Sequence, residues 1–290
     1  MNGKAEAISH GAATIINAIA TGKGAAIGVN LWTKARIKLT EEPGIIESTI
    51  VSDPTEDLVL IEKTVGRVLK HFSLEEKLGA KVETWSNIPI ARGLKSSSAA
   101  GNAIALATVA ALNKKLDDVT IVKFGVDGAI DAKVTITGAF DDACASYFGG
   151  VVVTDNLKRR IVKRLEIAED LAVLFYVPAK KTYTVSSDVR RMKSLASLVK
   201  IAYKEALRGN HWAALTLNGL IYSSALGYNP SIAVDALMAG ALAAGLSGTG
   251  PAVTAIVAED KVDLVKDAWQ MYEGEILETR VNHEKAKVVG

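Results

Sequence analysis

From Ser96 to Asn113 the chain runs eighteen residues without a charge, SSSAAGNAIALATVAALN. A helix that is small or apolar on every side cannot lie on a wetted surface, so other elements have to surround it. Its Ala, Gly and Ser content allows those neighbours to come close. The interspersed Ser, Asn and Thr set it apart from a membrane span, which needs about 20 predominantly apolar residues. The head of the run is also specific: PIARGLK leads straight into three serines.

The rest of the 290 residues supplies the surroundings, enough for one large domain or two ordinary ones. A chain of this length buries roughly three quarters of its unfolded surface, so no staples are needed. Residues 4–20 and 24–40 read as strands, the second with Trp32, Ala35, Ile37 and Leu39 interleaved with Thr33, Lys34, Arg36 and Lys38. DPTEDLVLIEKTVGRVLKHF predicts a helix opening at its Asp/Thr start, and GAKVETWSNIP a strand stopped by Pro89. KVTITGAFDDACASYFGGVVVTDN reads as strand, turn, short helix and strand, and the basic run DNLKRRIVK (155–163) as a linker or domain edge. Strand LAVLFYVP comes next. Helical patterns follow in SSDVRRMKSLASLVKIAYKEALRG, HWAALTLNGLIYSSALG and PSIAVDALMAGALAAG. A turn LSGTGP, strand AVTAIVA, helix DKVDLVKDAWQMYEGE and strand-like tail ETRVNHEKAKVVG complete the chain. This mixture predicts an α+β fold in two lobes, 1–160 and 161–290.

Several function classes lose support at once. A net charge of +2 lacks the basic stripe of an RNA-binding module, so neither nucleic acid nor membrane is an expected partner. The one cysteine, Cys144, fits a reducing cytoplasm. The N-terminal MNGKAEAISHGAATIINAIATGKG is a poor signal peptide, with one lysine early and a broken apolar stretch. No Walker A loop is present: Gly24 follows Gly22-Lys23, and Asn17 stands where the first glycine belongs. GKGAAIG departs from the dinucleotide fingerprint because its third glycine, Gly28, comes one residue late.

The chemistry therefore points to RGLKSSS. A helix N-terminus is an anion site, Gly93 lets backbone approach a ligand, and serine hydroxyls can cap the helix, donate to phosphate or ligate Mg²⁺. Physical reasoning alone leaves two readings, a phosphate cradle and a serine-rich N-cap. LSGTGPAV (246–253) alone is a turn, and Asp141 and Asp142 in TGAFDDACASYFGG alone are first-turn helix charges.

Together these segments resemble the GHMP kinases, the small-molecule kinases named for galactokinase, homoserine kinase, mevalonate kinase and phosphomevalonate kinase. PIARGLKSSSAA fits the family's P-x-x-x-G-L-x-S-S-A pattern, SGTGPAV its third motif, FDDACASYFGG its D-x-A…GG segment and GKGAAIGV its N-terminal turn. The resemblance implies an N-terminal lobe with a left-handed β-α-β unit and a ferredoxin-like C-terminal lobe. It implies ATP bound by Pro89, Ile90, Ala91, Arg92, Gly93, Leu94, Lys95, Ser96, Ser97, Ser98 and Ala99, with Gly248, Thr249, Gly250 and Pro251 closing from the other lobe. Mg²⁺ is assigned to Ser97, with Ser96 and Ser98 as alternatives, and the catalytic carboxylate to Asp141 or Asp142. The chain departs from the pattern in three places. SHGAATIIN stands where relatives carry P-G-[KR], so no basic residue transfers from there. Ser98 replaces an alanine. The aspartate is doubled, with Asp142 seven and Asp141 eight residues before Gly149.

Within the family, SHGAATIINAIATGKGAAIGV, RGLKSSSAAGNA and TGAFDDACASYFGG are similar to the archaeal-type shikimate kinases. That implies transfer of the γ-phosphoryl of ATP to the 3-hydroxyl of shikimate. The shikimate carboxylate calls for a cation, with Arg92, Lys95, Arg190 and Arg191 as candidates. Sister kinases acting on homoserine, pantoate or isoprenoid precursors share these motifs. A non-catalytic RNA-binding module is the alternative of a different class, and the oligomeric state stays open.

Overall fold

The computed structural model describes residues 3–90, 92–167, 170–179 and 188–290. Ala91 lies outside the described residues. Strands β1 (Lys4–Ile16) and β2 (Lys23–Thr40) form a long antiparallel hairpin turned at Gly22, whose φ is 70°. They centre a seven-stranded sheet in the order β11-β1-β2-β4-β3, where β3 is Ile46–Ile50, β4 Gly79–Ser86 and β11 Lys287–Val288. Near the hairpin turn β2 also pairs with β5 (Val151–Asp155), which pairs with β6 (Arg160–Leu165). Helices α1 (Val59–His71), α2 (Ser96–Ala111), α3 (Asp118–Asp131) and α4 (Phe140–Phe148) complete the lobe. α2 and α4 lie on β1 and β2, and α1 and α3 pack against α2.

The uncharged run is the central helix its composition demands. α2 buries most of its residues. At Gly101 it meets Gly125 of α3 so closely that a Cβ would lie 3.0 Å from the Gly125 Cα. Its buried Asn102 donates Nδ2–H to the Ala143 carbonyl at 2.9 Å, which ties α2 to α4.

The second sheet has the order β10-β7-β9-β8, all antiparallel, with β7 Ala172–Val177, β8 Ala243–Leu246, β9 Val253–Val257 and β10 Glu275–Arg280. Helices α5 (Val189–Ser194), α6 (Ala196–Arg208), α7 (His211–Leu226) and α8 (Ser231–Met238) separate β7 from β8, and α9 (Val262–Trp269) separates β9 from β10. That is the β-α-β-β-α-β arrangement of a ferredoxin-like lobe. The first half of β2 sits between the two layers. Ala26 packs with the core of the first lobe, while Ala25, Ile27 and Val29 pack with Val173 and Phe175 of β7. This sandwiching explains why β2 alternates only in its second half.

The structure corrects several sequence expectations. The helix expected from Asp53 starts at Val59. Residues 133–137, expected as a strand, form no strand and lead into α4 as loop. The 155–163 stretch, expected as a linker, is a hairpin: Asp155 pairs with Arg160 across a turn. The helix expected over 230–245 ends at Met238, because Gly240 turns the chain (φ 102°) into β8. Strand β3 and helix α3 are further elements that the sequence pattern does not predict. The C-terminal tail also returns to the first sheet, where β11 pairs with β1 and Asn282 accepts from the Gly150 N–H at 2.8 Å. Among the described residues no helix is long and apolar enough to cross a membrane.

Candidate active site

The N-termini of α2 and α4 converge on a cleft of about 400 Å³ that the 248–249 turn closes from the second lobe. Its lining includes Thr14, Asn17, Ile90, Gly93, Lys95, Ser96, Ser97, Ser98, Asp141, Asp142, Gly248 and Thr249. A second wall carries Thr33, Thr84, Ser86, Leu60 and Ile61.

The loop before α2 is shaped by backbone. Gly93 has φ 88°, and a Cβ there would lie 2.9 Å from the Ser247 carbonyl. The Ser247 hydroxyl donates to the Gly93 carbonyl at 2.8 Å, and the Ala252 N–H to the Arg92 carbonyl at 3.1 Å. The loop of one lobe thus rests on the turn of the other. The N-cap of α2 is Lys95, in the left-handed region (φ 65°, ψ 33°), and its side chain caps nothing. The serines are therefore first-turn residues lining the cleft, not the cap. Both features favour an anion at this helix end: unsatisfied N–H groups with the positive end of the dipole, and hydroxyls beside them.

The two aspartates diverge, as neighbours on a helix must, by about 100°. Asp142 turns toward the loop. Its Oδ2 lies 3.2 Å from Lys95 Nζ, and its Oδ1 accepts from the Thr14 hydroxyl at 3.3 Å. Asp141 turns toward the sheet. Its Oδ1 accepts from Asn156 Nδ2 at 2.7 Å, and its Oδ2 packs on Gly24, where any Cβ would collide with it. Burial, and then the neighbouring Asp142 charge, push the Asp141 carboxyl up to about 7.

A pH dependence follows from that shift. The folded-state value of Asp141 is raised, so its contribution to stability is full below the ordinary carboxylate range, near pH 4, and fades as pH rises through about 7. Asp141→Asn has no such loss. Relative to wild type, its melting temperature should climb between pH 4 and pH 8; a constant difference would refute the shift.

The sequence candidates separate in space. Ile90, Gly93, Lys95, Ser96, Ser97, Ser98, Gly248, Thr249, Asp141 and Asp142 line the cleft. Leu94 and Ala99 are fully buried beneath it. Pro89, Gly250 and Pro251 flank the lining without being part of it; a Cβ on Gly250 would strike the Tyr228 ring. The Arg92 guanidinium donates to the Pro178 carbonyl, away from the cleft, and Arg190 and Arg191 stand exposed on α5 outside its described lining. Lys95, a candidate for a substrate carboxylate, meets Asp142 instead. Thr14, Asn156 and the cleft-lining Lys133 were not among the sequence candidates. The available signal was a polar residue inside a buried strand or strand end: Thr14 is 1% and Asn156 6% exposed.

Comparison with known proteins fits this architecture. Residues 60–150 match the family model of the GHMP kinases N terminal domain. A shikimate kinase of Methanosarcina mazei is 45% identical over 282 residues, spanning 97% of this chain and 95% of that protein. The shikimate kinase of Methanothermobacter thermautotrophicus is 44% identical over 286 residues, 97% and 96% of the two chains. Among solved structures, the Methanococcus jannaschii mevalonate kinase superposes with a TM-score of 0.76 at 18% identity, over 97% of this chain and 99% of its own. Homoserine kinase from Cytophaga hutchinsonii gives 0.73 at 17%, over 100% and 98%. Identity at the level of the archaeal proteins, held over nearly the whole length, leaves one conclusion: the chain belongs to the GHMP kinase family.

Proposed function

We propose that this protein is a shikimate kinase, transferring the γ-phosphoryl of ATP to the 3-hydroxyl of shikimate in the cytoplasm, on the way to chorismate. The observation that carries the chemistry is the convergence, in one cleft, of a serine-lined helix N-terminus, the Lys95–Asp142 pair and the Gly248 turn. The substrate comes from the archaeal relatives, which are shikimate kinases by name.

Phosphoryl transfer asks for positioning and charge neutralisation more than covalent chemistry. The α2 N-terminus with Ser96, Ser97 and Ser98 binds the phosphates. The acceptor hydroxyl oxygen bonds to the γ-phosphorus while the bond to the β–γ bridging oxygen breaks, its electron pair leaving with ADP. Asp142 orients that hydroxyl and takes its proton. Asp141, held by Asn156 against Gly24, positions the start of α4. The oxygen donors Thr14, Ser96–Ser98 and Asp142 suit the hard ion Mg²⁺, which when bound neutralises phosphate charge. Among the described residues no three acidic, His or Cys side chains converge as a protein-only cage. The acceptor carboxylate would find Lys133 on the cleft wall.

ADP release measured across a panel of alcohols tests the substrate. Shikimate should be turned over far faster than homoserine, mevalonate or pantoate. Equal or better turnover of any of those would reassign the acceptor.

A further inference from the structure

Two consecutive glycines, Gly149 and Gly150, follow α4 at the end opposite its aspartates, and both are left-handed, with φ 70° and 61°. The segment that follows β10 passes over them. Asn282, fully buried, donates its N–H to the Gly28 carbonyl of β2 at 2.9 Å and accepts from the Gly150 N–H at 2.8 Å. A Cβ on Gly149 would lie 2.9 Å from the Asn282 carbonyl oxygen, and one on Gly28 would lie 2.9 Å from the Ala145 carbonyl oxygen and 3.0 Å from the Gly149 Cα. Three backbones therefore meet where no side chain fits. The Asn282 side chain then bends the segment back. Its Oδ1 accepts from the Glu284 N–H at 3.1 Å, and its Nδ2 donates to the Glu284 carbonyl at 2.7 Å. After the bend the Ala286 N–H donates to the Tyr147 carbonyl at 2.6 Å, and Lys285 pairs with Asp118 at 2.7 Å. Asp118 also accepts from the Tyr147 hydroxyl at 3.0 Å. A strap leaving the second sheet thus clamps the far end of the helix whose first turn carries Asp141 and Asp142.

We infer that Asn282 is a positioning residue for the transfer step: through the 281–286 strap it sets the tilt of α4, and so the place of the Asp142 carboxylate in the cleft. The inference rests on the kinase reading above, in which Asp142 takes the proton of the acceptor hydroxyl. Asp142 and Gly150 are eight positions apart, about 12 Å along a helix. Asn102 and Ser146 pin the middle of α4 to α2 and β1, which leaves the strap to fix its angle. With its middle pinned, a swing at one end of so short a helix swings the other by a similar distance. A misplacement of about 1 Å that starts far from the chemistry can cost about 10²-fold in rate. Asn282 does not line the cleft. The phosphate loop rests on the 247–252 turn instead, so nucleotide binding does not depend on the strap.

The test compares Asn282→Ala, Asn282→Ser and Gly28→Ala with wild type, on whichever acceptor wild type turns over fastest. Steady-state assays read kcat and KM, and calorimetry reads ADP binding. Hydrogen exchange followed by mass spectrometry reads amides 143–150 at α4 against 99–111 of α2. In Asn282→Ala, kcat should fall about 10–10²-fold. KM for ATP and for the acceptor, and Kd for ADP, should stay within about threefold. The α4 amides should exchange at least about tenfold faster with α2 unchanged, a local loosening and not a general loss of stability. Asn282→Ser keeps an acceptor for the Glu284 N–H and should recover part of kcat. Gly28→Ala presses on the same helix end from β2 with the strap intact, and should lose kcat in the same way. Glu284 is exposed, so water can take the backbone groups that Asn282→Ala frees. The Ser and Gly28 variants carry the comparison if that one fails to fold. A kcat within about threefold of wild type in Asn282→Ala, or in the variants that stand in for it, would overturn the proposal. So would equal acceleration of exchange in α2 and α4, which would make Asn282 a plain stabilising residue. The exchange arm needs no substrate, so a wild-type protein that turns over no acceptor would sink the kinase reading while the clamp on α4 is still measured.

Discussion

Asp142→Asn should retain nucleotide affinity and lose about 10²–10⁴-fold in kcat, the usual contribution of a positioned general base. The asymmetry between the two aspartates makes this a sharp test. Both line the cleft, but the Asp142 carboxylate meets Lys95 and Thr14, whereas the Asp141 carboxylate is held by Asn156 against Gly24. Asp141→Asn should therefore keep most of its rate and change stability instead, in the pH-dependent direction given above. Turnover, ATP affinity and melting curves for both variants decide the matter. If Asp141→Asn were the slow enzyme, the roles would be exchanged. If both turned over near the wild-type rate, the reaction would need no aspartate base and would rest on phosphate electrostatics.

Gly93→Val should abolish useful ATP binding. A β-branched residue at φ 88° is strained by about 1–3 kcal/mol, and its Cβ would also press on the Ser247 carbonyl at 2.9 Å. The loop can relieve this only by leaving the 247–252 turn, which moves the α2 N-terminus off the cleft. A loss of about 2–3 kcal/mol corresponds to roughly two orders of magnitude in Kd. Gly93→Ala, equally left-handed but smaller, should fall between. The fold should survive in both, since α2 packs on β1, β2, α1, α3 and α4. A folded Gly93→Val protein with wild-type affinity would remove this loop from the nucleotide site.

The errors of the sequence reading have a common cause. VTIT (134–137) alternates like a strand, yet no strand forms there. AGALAAG (239–245) reads equally as helix or strand, since small apolar residues carry no period of their own. β9 decided it, by pairing with Ala243–Leu246. In the 155–163 run, polarity suggested a linker, but a strand with one solvated face looks polar too, and Arg160–Leu165 pairs with β5.

What the sequence determined by itself is local and additive. Eighteen uncharged residues require a buried helix, three serines and a glycine at its head mark an anion site, and the order of the motifs specifies the family. The facing of side chains was decided only by the tertiary structure. Lys95 meets Asp142, Gly24 makes room for Asp141, and Ser247 holds Gly93, across separations of 47, 117 and 154 positions. Helix and strand periods specify which way a residue points relative to its own element. Which element lies opposite is set by how two sheets and their helices pack. A doubled aspartate could therefore be read from the chain, while the division of labour between its two carboxylates could not.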